Sequence, residues 1–108
     1  MATDINKGKN PSNFEWVPPT QNVDGSPVSG PLSYNLYRRD PGQIDYTFFF
    51  VVVGTLQTDG NYIAPLSDFP EGSHEIVLTA VDAEGDESSY SNSLGFTIGV
   101  APKAPVLV

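Results

Sequence analysis

His74-Glu75-Ile76-Val77-Leu78-Thr79-Ala80-Val81 alternates with period two, placing His74, Ile76, Leu78 and Ala80 on one face and Glu75, Val77, Thr79 and Val81 on the other. Successive side chains of an extended chain point to opposite sides, so this is the pattern of an antiparallel strand with one face in a core and one in water. The run is entered from Phe69-Pro70-Glu71-Gly72 and left through Asp82-Ala83-Glu84-Gly85-Asp86-Glu87-Ser88. The first of these is a tight corner and the second an acidic hairpin with Glu84-Gly85 at its tip. A strand held between two such turns belongs to a sheet protein.

Outward from it the same grammar repeats. Strands are predicted over about residues 13–17, 33–39, 46–53, 62–66, 74–81 and 91–98. The first stops at Pro18-Pro19, because proline cannot donate to a strand ladder. Turns are predicted at Asp24-Gly25, Asp40-Pro41-Gly42 and Thr58-Asp59-Gly60-Asn61, and residues 22–31 form a long loop. Ten Gly and ten Pro among 108 residues leave room for many short strands and little helix. A chain of this length suits one core. The division is an arm over 1–12, a sandwich domain over 13–99, and a tail or pairing strand over 100–108. The predicted core is Trp16, Tyr34, Leu36, Leu66, His74, Ile76, Leu78 and Ala80.

Trp16 with Pro18-Pro19, then Tyr34-Asn35-Leu36-Tyr37, then Leu66 and the stretch from Phe69 to Ala80 resemble, in order and spacing, a fibronectin type III domain. The resemblance covers about residues 13–98. It implies an all-β, antiparallel, immunoglobulin-like β-sandwich with Trp16 at the centre of its core. It also implies a corner where a tyrosine hydroxyl bonds back to the backbone, and His74 stands at that position here. The family begins with a strand ahead of the tryptophan strand, for which residues 1–12 offer little. Ala104-Pro105-Val106-Leu107-Val108 resembles such a strand, displaced to the far end of the sequence. It is expected to pair within its own sandwich or with a neighbouring subunit.

The residues that do chemistry are scarce. Cysteine is absent and His74 is the single histidine, so neither a thiolate zinc site nor a His-based acid–base or nucleophilic constellation is available. No hydrolase elbow, phosphate loop or dinucleotide fingerprint occurs. The expectation is a protein with no catalytic residues, no metal and no cofactor. Asp82, Glu84, Asp86 and Glu87 are spaced like oxygen ligands but lack the length and closing Glu of a calcium loop, and a solvated hairpin accounts for them.

Residues 11–100 hold all the acids but Asp4 against only Arg38 and Arg39, so the body is somewhat more acidic than the chain's net charge of −8 suggests. Such a body repels phosphate, which argues against nucleic acid as a partner. No apolar run is long enough to span a membrane as a helix, and residues 1–10 lack the apolar stretch of a secretion signal.

Tyr46-Thr47-Phe48-Phe49-Phe50-Val51-Val52-Val53 is apolar on both faces. Period two places Phe48, Phe50 and Val52 on one side and Phe49, Val51 and Val53 on the other. A strand that needs two dry faces near a sheet edge calls for a protein cover. The expected partner-binding residues are Phe48, Phe49, Phe50, Val51 and Val53, with Val106, Leu107 and Val108. Small sandwiches of the family occur on phage capsids and tails. The resemblance therefore implies a structural or decoration subunit of a bacteriophage virion, bound to a neighbouring capsid or tail protein or to a copy of itself. The alternative is a secreted adhesion or carbohydrate-binding module, with Tyr37, Tyr62 or Tyr90 stacking on glycans.

Overall fold

The computed structural model describes residues 3–9, 13–99 and 102–108, which contain eight strands and no helix. They are β1 (Thr3–Lys9), β2 (Asn13–Trp16), β3 (Ser33–Arg39), β4 (Thr47–Val52), β5 (Thr55–Leu56), β6 (Tyr62–Pro65), β7 (Gly72–Val81) and β8 (Leu94–Ile98). One sheet has the order β1-β8-β7-β3-β4 and the other β2-β6-β5. All pairs are antiparallel except β1 with β8. The two sheets enclose one core, an arrangement compatible with a β-sandwich.

The long β3–β7 ladder, from Ser33↔Val81 to Arg39↔Glu75, is the spine of the larger sheet. It brings Tyr34 and Leu36 onto the same inner face as Ile76, Leu78 and Ala80. The buried cluster consists of Phe14, Tyr34, Leu36, Val52, Ala64, Leu66, Phe69, Ile76 and Phe96. Tyr34, Leu36, Leu66, His74 and Ile76 are buried as the sequence predicts. Trp16, Leu78 and Ala80 are not at the centre. They pack against the cluster and stay half-exposed, while Phe14, two residues before Trp16 on the same face, takes the interior place.

Trp16 lies against Phe14, Tyr34 and Tyr62 with ring centroids 5.1 to 5.8 Å apart. Gly54 lets it settle there, since a Cβ at that position would stand 2.6 Å from the indole. The turn glycines fall where the sequence puts them, and Gly85 at the hairpin tip has φ 90°.

The corner is rebuilt around histidine. His74 is buried, and Arg38 Nε donates to its Nδ1 at 3.0 Å. That leaves the ring proton on Nε2, which donates to the Pro70 carbonyl at 2.8 Å. The ring nitrogen thus bonds back to the backbone four residues upstream, as a corner hydroxyl would.

The outer face of β7 is drier than its alternation predicts, because Val77 and Thr79 are buried. The segment read as an arm carries β1, which pairs parallel to β8 through Thr3↔Leu94 and Asp4↔Gly95 with a register break before Lys9↔Thr97. Residues 102–108 form no strand and are exposed throughout.

Candidate protein interface

β4 is the last strand of the five-stranded sheet, so among the described residues one side of its backbone has no partner. Its pairing with β3 slips by one residue: Leu36 faces Phe50, but Tyr37 faces Phe48. Phe49 is the extra residue of a β-bulge, and a bulge reverses the inside–outside phase of everything beyond it. Phe50 and Val52 therefore lie inward with Leu36 and Tyr34, whereas Val51 and Phe48 lie outward with Asn35 and Tyr37. Phe49 also reaches the inner side, its ring 5.1 Å from Phe50 and 5.2 Å from Phe69.

The predicted grouping of Phe48 with Phe50, and of Phe49 with Val51, is thereby corrected. The outward pair is Phe48 and Val51, exposed by 51% and 54%, with Val53 exposed just past the strand end. No strand pairing joins Val106, Leu107 or Val108 to β4.

The outer face continues beyond β4. Phe48 packs edge-on against Tyr37 at 5.7 Å, Tyr37 meets Tyr90 at 5.2 Å, and Tyr90 meets Tyr46 at 5.5 Å. Arg39 closes the row, its guanidinium 4.2 Å from the Tyr46 ring centre while Nε donates to Glu75 at 2.8 Å. This ion pair holds the Glu75 carboxyl below its ordinary range. Tyr37, Tyr46 and Tyr90 come together from β3 and two loops, and period-two reading does not anticipate a row of this kind. Tyr62, named with Tyr37 and Tyr90 in the glycan-binding reading, stacks on Trp16 in the other sheet.

Under the aromatic row sits one organised carboxylate. Glu87 accepts hydrogen bonds from the Tyr37 hydroxyl at 2.5 Å, the Thr79 hydroxyl at 2.5 Å and the Asn35 amide at 3.2 Å. These bonds, the Thr79 one foremost, lower its pKa from the ordinary 4.5, and the bond from Tyr37 to Glu87 is the main cause that raises the pKa of the Tyr37 hydroxyl. A carboxyl whose folded pKa lies below its unfolded value stabilises the fold fully above that unfolded value, and the contribution disappears as pH falls through the folded one. Glu87→Gln is accordingly expected to flatten the loss of stability below about pH 4.5, read as urea midpoint against pH. An unchanged acid limb would remove Glu87 from the network.

The hairpin acids are likewise occupied by hydrogen bonds. Asp82 Oδ1 accepts the backbone N–H groups of Glu84 and Asp86, and Glu84 accepts from Ser29. Among the described residues no group of three or more His, Asp or Glu is placed to hold a metal ion.

Compared with protein-family models, curated proteins and solved structures, the chain gives no match.

Proposed function

We propose that this chain is a non-enzymatic structural subunit of an assembled particle, a fibronectin type III-like sandwich that decorates a bacteriophage virion. Its contact with the neighbouring capsid or tail protein runs through β4. The observation that carries the reading is an edge strand with no charged residue and no proline in Thr47–Val52, next to an exposed aromatic row. Proteins normally blunt such edges with lysine, proline or a covering loop, because an open, flat, apolar edge recruits other chains. The Phe49 bulge twists the strand but leaves Phe48 and Val51 outside. A partner strand or apolar surface there covers them.

A glycan-binding module draws less support. Sugar stacking uses open ring faces, and the rings of Phe48, Tyr37, Tyr90 and Tyr46 meet one another at 57° to 76°, turning edges into faces.

The test is cosedimentation of the purified chain with virions from its source. The double variant Phe48→Asp, Val51→Asp is expected to lose binding while its circular dichroism stays that of the wild type. Wild-type binding by that variant would show that the outer face of β4 is not the contact.

A further inference from the structure

β2 ends the three-stranded sheet, so among the described residues one side of its backbone has no strand partner. Opposite it, the larger sheet is completed beside the C-terminal half of β7 by the 88–91 segment. Ser88 N–H donates to Ala80 O and Ser91 N–H to Leu78 O, while the Ser88 and Ser91 hydroxyls accept from Ala80 N–H and Leu78 N–H. Between that segment and β2 lies a groove of about 690 Å³, floored by Phe14, Ile76 and Leu94 and flanked by Trp16, Leu78 and Ala80. The last three are among the eight residues that the sequence assigns to the core, Trp16 at its centre. They are half-exposed because they face this groove.

The same chain carries a segment matched to it. Residues 102–108 are exposed throughout, with Val106 at 86% and Leu107 at 96%. An extended Ala104–Val108 spans about 16 Å, against about 13 Å for the four residues of β2. Its period-two pattern puts Val106 and Val108 on one side to fill an apolar floor, and its backbone can pair with the free edge of β2. Lys103 precedes it, and Glu15 on β2 lies at the groove. The chain leaves β8 at Ile98, about 13 Å along the strand from the groove residue Leu94 and in the direction away from it.

We infer that the groove between β2 and the 88–91 segment accepts Ala104–Val108 of a second copy as an added strand. Each copy then donates one strand and accepts one, a head-to-tail contact that closes into a ring or propagates as a filament. The inference rests on the reading of the chain as an assembly subunit and deepens it, on a surface separate from the outer face of β4.

Trp16 is the chain's one tryptophan and lines the groove, so its emission reports occupancy. The experiment compares sedimentation of the full chain over rising concentration with that of a variant lacking residues 104–108. A synthetic peptide of residues 102–108 is then added to the truncated variant. The full chain is expected to associate, the truncated one to remain monomeric, and the peptide to shift Trp16 emission to the blue. A peptide carrying Val106→Asp and Val108→Asp is expected to bind at least about tenfold more weakly. The Phe48→Asp, Val51→Asp variant is expected to take the unmodified peptide normally, which separates this contact from the one through β4. Unchanged Trp16 emission overturns the inference. So does association that survives truncation, or a full chain that stays monomeric and loses thermal stability when truncated, since the strand would then belong to its own sandwich.

Discussion

A chain carrying Phe50→Asp is expected to be largely unfolded at ambient temperature, whereas Phe48→Asp, two residues away, melts within a few degrees of the wild type. Phe50 packs against the buried cluster and lies 5.9 Å from Phe69. Removing a core phenylalanine costs about 3 to 5 kcal/mol, and a carboxylate in its place adds a desolvation penalty. A domain of this size holds only about 5 to 15 kcal/mol in reserve. Phe48 is half-exposed on the outer face, where substitutions typically cost well under 1 kcal/mol beyond the contact they remove. Phe49→Asp falls on the damaging side, because the bulge turns that ring toward Phe69. Under strict alternation Phe48 and Phe50 would respond alike and Phe49 would be the tolerant one. Thermal melts of the three variants therefore report directly on the bulge.

Phe69→Ala is expected to cost about 3 to 5 kcal/mol, lowering Tm by about 15 to 25 °C. Phe69 is 5% exposed and touches four rings: Phe49, Phe50, His74 and Phe96, at 5.0 to 5.9 Å. Those rings come from β4, β7 and β8, so the residue fastens the corner before β7 to the edge strand as well as to the core. The urea midpoint should fall without a change in slope, as for a loss of packing within an otherwise unchanged fold. A cost below about 1 kcal/mol would mean that the corner is peripheral.

Residue types and turn chemistry made most strands legible. Ser33–Arg39 appears with the bounds that alternation predicts, and the glycines at 25, 42, 60 and 85 have the positive φ that their turns demand. What escaped has physical reasons. β1 is polar and carries Gly8, and its pairing with β8 is a backbone ladder that no side-chain period announces. β5 has two residues, too few for any pattern. Alternation counts positions and cannot register an inserted residue, so the Phe49 bulge went unseen and both faces of the run were assigned in one phase.

The candidate interface was legible in part. Of the residues named from the sequence, Phe48, Val51 and Val53 are exposed, Phe50 packs against the buried cluster, and Phe49, 37% exposed, turns its ring toward Phe69. Tyr37, Tyr46 and Tyr90 join the patch only through folding, since Tyr90 is brought to β3 by the segment that bonds to β7 through Ser88 and Ser91. Val77 and Thr79 are both buried, and the Thr79 hydroxyl donates to Glu87.

The proposed contact through β4 is tested most directly by amide hydrogen exchange of the chain alone and of the chain mixed with virions from its source. An open edge leaves amides of Thr47–Val52 exchanging readily in the free chain, and pairing or coverage protects them. Marked slowing across residues 47–52 on binding is the predicted result. Exchange there that is identical with and without virions would contradict it.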